Sequence, residues 1–190
     1  MPSECVRNKT VARPTVFLDR DGTLNVDKGY VHRIEDWEWI PGAINALVAL
    51  RQAGFLVIVV TNQAGIARGY YREDEAHNLH GKINQQLQQY GGWIDGFYHC
   101  PHHPEFGAAC ECRKPKPGLI HLACSDFSID LSRSWLVGDK VSDIQAGCAV
   151  GLKSILVLTG YGHNEYTQLG DDGIYFPDVG SATRYIISLP

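Results

Sequence analysis

Short apolar runs rich in β-branched residues alternate with segments of helical periodicity along the whole chain. The run at residues 55–60 is almost wholly apolar, which is typical of a strand buried on both faces. We predict strands over residues 15–18, 55–60, 96–99, 135–137, 154–158 and 174–176, and helices over residues 43–52, 72–90, 119–127, 142–150 and 181–188. Because strands separated by helices form βαβ units, we expect a three-layer α/β domain built on a parallel sheet.

The 190 residues are expected to form a polar N-terminal tail, residues 1–13, and one domain, residues 14–190. The net charge of −4 and the lack of a Lys/Arg-rich run give no reason to expect nucleic acid as a partner. No stretch approaches the roughly 20 apolar residues of a membrane span, and the tail lacks the apolar segment of a signal peptide. We therefore expect a cytoplasmic protein without a membrane or nucleic-acid partner, and we take it to be a monomer.

Residues capable of chemistry follow four of the predicted strands. They are Asp19-x-Asp21 after the first strand, Thr61-Asn62 after the second, Arg113-Lys114 beyond the third, and Gly138-Asp139-Lys140-x-x-Asp143 after the fourth. Taken singly, each group is typical of a turn, a helix cap or a solvated charge pair. Ligands of open parallel sheets bind outside the carboxyl ends of the strands, so the four together predict a functional site there.

The residue types at these strand ends suit phosphate chemistry. Four carboxylates would form an oxygen-rich pocket of the kind that Mg²⁺ prefers: Asp19, Asp21, Asp139 and Asp143. A divalent cation also explains how two neighbouring aspartates can point inward. Lys114 and Lys140 would add positive charge where a phosphoryl group is transferred. The Thr61 hydroxyl and the N–H groups of Asn62 and Gln63 could hold phosphoryl oxygens.

The quoted groups together resemble the motifs of a known family. The Asp19-x-Asp21-Gly22-Thr23 box, Thr61, Lys114 and the string Gly138-Asp139…Asp143 are similar to the four motifs of the haloacid dehalogenase superfamily of phosphotransferases, over about residues 15–160. The resemblance implies a Rossmann-like parallel sheet and adds Thr61 and Lys114 to the catalytic set. Residues 22–40 and 72–98 are too short to hold the cap domain that many members insert after the first or second motif.

The resemblance also implies a two-step mechanism and a set of metal ligands. Asp19 would attack phosphorus as a covalent nucleophile, and Asp21 would act as the general acid and then the general base. Mg²⁺ would be held by Asp19, the backbone carbonyl of Asp21 and Asp139, with Asp143 as an occasional or indirect ligand. Arg20 is expected to turn away from the metal and receives no catalytic role.

A second motif lies between residues 100 and 112. Cys-x-His and Cys-x-Cys supply three thiolates and one imidazole, which is a tetrahedral structural zinc set: Cys100, His102, Cys110 and Cys112. His103 stays an alternative, although His102 is favoured because Cys-x-His then mirrors Cys-x-Cys. The zinc would fold a loop that lacks a core of its own and would fix Arg113 and Lys114 directly after it. His77, His80, His99 and His121 look scattered and are assigned to the core or the surface rather than to ligation.

Two loops indicate the substrate class. The segments at 25–32 (NVDKGYVH) and 62–69 (NQAGIARG), with the zinc loop, resemble a bacterial family of heptose 1,7-bisphosphate phosphatases. The resemblance implies Mg²⁺-dependent removal of the 7-phosphate in heptose synthesis for the lipopolysaccharide core or the S-layer. It also implies these substrate contacts: Asp27, Lys28, Gly29 and Tyr30 at the sugar, Arg113 at the distal phosphate or hydroxyls, and Lys140, Asn62 and Gln63 at the transferred phosphate. Ala64 and Leu158 depart from the family pattern, where serine and arginine are expected.

Other functions stay open at this point. A phosphatase for histidinol phosphate or another small phosphomonoester is the alternative within enzymes, since histidinol-phosphate phosphatases share the zinc loop. A catalytically inactive binding module stabilised by zinc would be expected to have lost Asp19, Asp21, Lys114 or Asp139. All four residues are present. A nucleic-acid end phosphatase is disfavoured by the acidic net charge.

Overall fold

The computed structural model describes residues 11–107, 109–170 and 173–190. In this part of the chain, six strands form a parallel sheet in the order β3-β2-β1-β4-β5-β6. The strands are β1 Thr15–Leu18, β2 Leu56–Asn62, β3 Gly96–Cys100, β4 Trp135–Gly138, β5 Lys153–Val157 and β6 Tyr175–Phe176. The chain builds outward from β1 in one direction and then, from β4, in the other. This reversal opens a crevice at the carboxyl ends of the central strands.

Helices cover both faces of the sheet. They are α1 Ala43–Gln52, α2 Ala64–Ala67, α3 Glu73–Gln88, α4 Gly118–Asp126, α5 Val141–Cys148, α6 Gly162–Glu165 and α7 Val179–Ser188. Side chains of β1 alternate between the two cores, with Val16 and Leu18 facing α1, α3 and α7, and Phe17 facing α4 and α5. All four residues of β1 are buried, which explains why the run carries no polar alternation. The predicted three-layer α/β architecture is confirmed.

The six predicted strands and the five longer helices are present, and no boundary is shifted by more than two residues. β2 runs on to Asn62 because Thr61 and Asn62 still pair with β3. The short helices α2 and α6 were not predicted, and both lie in segments rich in glycine and polar residues. Residues 1–10 of the predicted tail lie outside the described residues, whereas Arg13 forms backbone hydrogen bonds with Ser128 and Asp130 and belongs to the folded part.

The connections after β1 and β2 are short. In the described chain, residues 19–42 form only a 3-10 helix at Ile34–Asp36 as regular structure, and residues 63–95 contain α2 and α3. No extra domain is therefore inserted at either point, and the cleft described below opens directly to solvent. Among the described helices, none has the length and apolar character needed to span a bilayer.

Candidate active site

A cleft of about 510 Å³ opens at the carboxyl edge of the sheet, between the ends of the central strands. Most of the predicted site residues line it: Asp19, Asp21, Asp27, Gly29, Tyr30, Thr61, Asn62, Gln63, Arg113, Lys114, Lys140 and Asp143. Asp139 lies fully buried beside the cleft. Lys28 is the predicted contact that does not line it, since its Nζ lies 2.8 Å from Glu38 Oε2 on the surface.

Three carboxylates converge at the floor of the cleft. Asp19, Asp139 and Asp143 each offer an oxygen within 4.8 Å of the others, and all three residues are buried. Asp139 Oδ2 accepts a hydrogen bond from the Tyr161 N–H at 2.9 Å, while Oδ1 has no partner among the described residues. Burial, together with the nearby Asp19 charge, raises the pKa of Asp139 to about 8. A buried carboxylate oxygen without a partner, beside a second carboxylate, fits a hard divalent cation.

Gly22 creates the space that Asp139 occupies. Its φ is +88°, and a Cβ placed there would lie 2.2 Å from Asp139 Oδ2. A larger residue would therefore be strained in its backbone and would also displace the carboxylate. The glycine of the Asp-x-Asp-Gly box is thus required by the geometry of a residue more than 100 positions later in the chain.

Lys114 is buried among the carboxylates. Its Nζ lies 2.9 Å from Asp19 Oδ1 and 2.6 Å from Asp143 Oδ1, and it donates to the Val60 carbonyl at 2.7 Å. Burial alone would lower the pKa of Lys114, but the charges of Asp143 and Asp19 raise it above its usual value. Asp143 Oδ2 accepts from the Lys140 N–H at 3.0 Å, so both Asp143 oxygens are engaged. In this geometry Asp143 orients Lys114 toward Asp19.

Asn62 fixes the chain around Lys114. Its Nδ2 donates to the Lys114 carbonyl at 3.1 Å, and its Oδ1 accepts from the Lys114 N–H at 3.0 Å. The two hydrogen bonds join the end of β2 to the segment that follows the cysteine-rich loop. Asn62, predicted as a phosphate-binding residue, therefore also has a positioning role.

Arg20 has a partner that the sequence did not indicate. Its fully buried guanidinium pairs with Asp21 at 2.8 Å and donates to the Val31 carbonyl at 2.6 Å. Gln63 Nε2 also donates to Asp21 Oδ2, at 2.8 Å. Burial acts to raise the pKa of Asp21, but Arg20 and the hydrogen bonds from Asn25 and Gln63 bring it below its ordinary value. Arg20 therefore makes the largest contribution to lowering the pKa of the predicted acid and base.

Two tyrosines in the cleft were missed. Tyr71 is almost fully buried, donates to Gln63 Oε1 at 2.5 Å and stacks on His32 at 4.7 Å between ring centroids. Tyr161 lies under Lys140, whose Nζ is 4.4 Å from the ring centroid. Neither tyrosine belongs to a sequence motif, and only the folded chain brings them to the cleft.

The predicted sugar loop has an unusual backbone. Asp27 Oδ1 accepts from the Gly29 N–H at 2.9 Å, and Gly29 and Tyr30 both have positive φ, +76° and +54°. A non-glycine residue in this region is uncommon and is held by its surroundings. The Tyr30 ring packs edge-on against Tyr70 at 4.8 Å between centroids. The loop presents Asp27, Gly29 and Tyr30 to the cleft and Lys28 to solvent.

The cysteine-rich segment forms a second cluster of ligand atoms. Cys100, His102, Cys110 and Cys112 each offer an atom within 4.8 Å of the others, and no disulfide joins the cysteines of this cluster. The His102 ring lies in the cluster, 3.3 Å from Cys112 Sγ, whereas the His103 ring lies beside Arg68. Burial raises the pKa of the Cys100 thiol, a cost that metal coordination would remove by displacing the proton. The cluster is suited to a metal ion, and Arg113 donates to the His102 carbonyl at 3.0 Å.

Comparison with known proteins agrees with this geometry. Residues 111–178 match the HAD-hydrolase-like family, where HAD stands for haloacid dehalogenase. The chain is 45% identical over 157 residues, 80% of its length, to D-glycero-beta-D-manno-heptose-1,7-bisphosphate 7-phosphatase of Yersinia pestis, of which 84% is covered. It is 47% identical over 154 residues, 77% of its length, to the enzyme of the same name from Escherichia coli K12, of which 80% is covered.

Solved structures show the same fold. The D,D-heptose 1,7-bisphosphate phosphatase of B. bronchiseptica, complexed with magnesium and phosphate, superposes with a TM-score of 0.84 at 33% identity, covering 92% of this chain and 98% of that one. The corresponding enzyme of Burkholderia thailandensis gives a TM-score of 0.71 at 30% identity, covering 93% of this chain and 100% of that one. The chain is a phosphatase of the haloacid dehalogenase superfamily and belongs to the heptose-1,7-bisphosphate 7-phosphatase family.

Proposed function

We propose that this chain removes the 7-phosphate of D-glycero-β-D-manno-heptose 1,7-bisphosphate in a Mg²⁺-dependent reaction that passes through an aspartyl-phosphate. The observation that carries the proposal is the arrangement of Asp19, Asp139 and Asp143 around Lys114 at the carboxyl edge of the sheet. The curated relatives with this sequence pattern are named for that substrate, and the B. bronchiseptica relative is described with magnesium and phosphate bound.

The cleft residues fit the cation. Asp19, the backbone carbonyl of Asp21 and Asp139 would hold Mg²⁺, and the partnerless Asp139 Oδ1 is an available ligand atom. The ion would offset the mutual repulsion of the carboxylates and the negative charge of the phosphoryl oxygens. Asp143 stays outside the direct ligand set in this proposal, since both its oxygens already bind Lys114 and Lys140.

In the first step, a carboxylate oxygen of Asp19 attacks phosphorus, and the bond between phosphorus and the sugar oxygen breaks. Asp21 gives its proton to the departing oxygen, so the sugar leaves as an alcohol. Lys114 and the Thr61 hydroxyl stabilise the charge on the transferred group, since both lie in the cleft wall beside Asp19. Lys140, held over the Tyr161 ring in the same cleft, would meet the same phosphoryl group.

In the second step, Asp21 takes a proton from water, and the resulting hydroxide attacks phosphorus. The bond to Asp19 breaks, which releases inorganic phosphate and restores the carboxylate. The Arg20 pair that lowers the pKa of Asp21 favours the ionised form that this step requires. The first step requires protonated Asp21. Entry of the anionic substrate favours this form, because a nearby negative charge raises the pKa of a carboxyl group.

The sugar and its distal phosphate are assigned to the rim of the cleft. Asp27, Gly29 and Tyr30 line the cleft, and so does Arg113. The planar guanidinium of Arg113 suits a phosphate group, which it can bind through two parallel N–H donors. Lys28 would contribute to substrate binding only after its ion pair with Glu38 opens.

Zinc in the Cys/His cluster is proposed to be structural. Three thiolates and one imidazole complete a tetrahedron, which leaves no open position for substrate. The ion would order the segment whose continuation supplies Arg113 and Lys114. Free thiols at this spacing also suit a reducing compartment, and we place the enzyme in the cytoplasm as a monomer.

The test is phosphate release from both anomers of the heptose bisphosphate and from histidinol phosphate, with and without Mg²⁺. The proposal expects rapid, Mg²⁺-dependent release from the β-anomer, with one phosphate removed per molecule. A preference for histidinol phosphate would overturn the substrate assignment and leave the aspartyl-phosphate mechanism standing. Equal activity without a divalent cation would overturn the mechanism itself.

A further inference from the structure

Three histidines converge outside the cleft, between α3 and β3. His77 and His80 lie one turn apart on α3, and His99 projects from β3 toward the same helix. Each offers a ring nitrogen within 4.8 Å of the others. The expectation that these residues are scattered is therefore wrong for three of the four histidines named. Their sequence spacing did not reveal this, because the pairing of α3 with β3 is a tertiary contact.

His80 is the feature that requires an explanation. The residue is only 4% exposed, and neither of its ring nitrogens has a hydrogen-bond partner among the described residues. Its ring stacks on Phe97 with an interplanar angle of 8° and a centroid distance of 4.3 Å, so its plane is fixed. Buried polar atoms without partners are rare and destabilising. Both ring nitrogens of His80 are therefore buried without a partner, and a metal ion could bind one of them.

Glu73 completes the surroundings of the three rings. Its Oε1 lies 3.1 Å from His99 Nε2, and it comes from the first turn of the helix that supplies His77 and His80. The carboxylate brings negative charge to one edge of the cluster, and it can orient His99 or serve as a further ligand. Arg20, a positive charge that acts on both His80 and His99, is already paired with Asp21.

We propose that His77, His80 and His99 form a site for a divalent transition-metal ion of the zinc class, separate from the carboxylate cleft and from the Cys/His loop. Imidazole nitrogens suit such ions, whereas Mg²⁺ requires oxygen ligands. Tetrahedral zinc with bonds of about 2.0–2.1 Å places neighbouring nitrogens about 3.4 Å apart. The exposed His77 side chain can rotate to reach that spacing, while His80 and His99 are held by packing.

The fold keeps this site apart from the zinc loop, although His99 and Cys100 are adjacent. Successive side chains of a strand point to opposite faces, so His99 meets α3 while Cys100 meets the cysteine cluster. An ion at the histidines would join α3 to the sheet edge formed by β3. Binding to the native state alone would stabilise the fold in proportion to metal concentration. The inference does not depend on the phosphatase activity.

The experiment titrates Ni²⁺ into tag-free protein that carries zinc in its loop, in buffer with excess Mg²⁺. Calorimetry measures the number and affinity of the sites, and zinc content is measured before and after. We expect one Ni²⁺ equivalent per chain, a higher melting temperature in its presence, and no loss of loop zinc. His77→Ala, which removes an exposed side chain, should weaken Ni²⁺ binding by at least about tenfold.

His80→Phe should do the same, since phenylalanine can keep the stack on Phe97 while removing both nitrogens. His121→Ala is the matched control, because His121 is exposed on α4 and lies outside the cluster. The inference fails if the wild type binds no Ni²⁺ equivalent while retaining its zinc. It also fails if His77→Ala binds Ni²⁺ as tightly as the wild type does.

Discussion

The carboxylate cluster of Asp19, Asp139 and Asp143 and the Cys/His cluster of residues 100–112 are built in opposite ways. The carboxylates follow two neighbouring strands of the sheet, and Lys114 holds two of them by ion pairs at 2.9 and 2.6 Å. In the Cys/His cluster, only Cys100 comes from a strand, and the other ligands lie on an irregular segment. The contacts within that cluster are between the ligand atoms themselves.

The difference indicates what each metal ion would do. The hydrophobic core positions the carboxylates, so a cation there changes charge and chemistry more than it changes the fold. The irregular segment has little core of its own, and in the proposed zinc-bound form its free energy of folding would depend on the metal. Mutations in the first cluster should therefore abolish turnover and leave stability nearly intact, whereas mutations in the second should reduce both.

Asp19→Asn is expected to have the largest effect on activity. The amide cannot form the aspartyl-phosphate, so kcat should fall by at least about a thousandfold. The melting temperature should change little, because the side chain keeps its shape at the floor of a preformed cleft. Phosphate release and thermal unfolding measure the two quantities. Asp36→Asn, an exposed change in the 3-10 helix, is the control and should match the wild type.

Cys112→Ser, or removal of zinc by a chelator, should reduce stability as well as activity, in contrast to Asp19→Asn. Loss of a structural ion that is worth a few kcal/mol should lower the melting temperature by about 5–15 °C in a domain of this size. Activity should fall as well, because Arg113 and Lys114 follow the loop directly. Cys148→Ser is the control, since Cys148 is exposed at the end of α5. Unchanged melting in the zinc-free protein would contradict the structural assignment.

The sequence allowed the carboxylate site to be predicted because its members follow strands, and apolar β-branched runs reveal strands. The four proposed zinc ligands of the loop were equally recognisable, since they are close in sequence. The pairing of Arg20 was not foreseen because its partners, Asp21 and the Val31 carbonyl, face it only after the chain turns at Gly22. A charged residue within a buried run is the signal that could have indicated a paired arginine.

The residues that escaped prediction share one property. Tyr71 stacks on His32, Tyr161 lies under Lys140, and His77 and His80 meet His99, and each of these contacts joins segments that are distant in sequence. No periodicity or motif within a single chain encodes such contacts. Strand and helix signals therefore predict where the carboxyl edge of the sheet lies. They do not predict which side chains from other segments pack around a site.

Gly22→Ala should produce an intermediate effect within the carboxylate cluster. The added Cβ would lie 2.2 Å from Asp139 Oδ2, so the carboxylate must move away from its position. We expect the Mg²⁺ concentration for half-maximal activity to rise by about 10- to 100-fold, as when a group that orients a ligand is changed. Gly54→Ala is a matched control, because Gly54 has the same φ of +88° with nothing within 4 Å of the new Cβ.

Gly54→Ala should lose about 1–2 kcal/mol of stability from the left-handed backbone alone. Its dependence on Mg²⁺ should equal that of the wild type. If both alanine variants showed the same Mg²⁺ dependence, the close approach of Gly22 to Asp139 would not be what shapes the cation site.

Arg113→Ala should have the smallest of these effects. It also tests whether the Cys/His cluster affects substrate binding in the cleft. The loss of a charge-assisted contact to the distal phosphate, about 1.5–3 kcal/mol, should raise KM by at least about tenfold with little change in kcat. Lys28→Ala should change KM less than twofold, because Lys28 pairs with Glu38 outside the cleft. Zinc-depleted protein should show a rise in KM similar to that of Arg113→Ala, since the same guanidinium would lose its position. A larger KM effect at Lys28 than at Arg113 would move the phosphate contact to the sugar loop.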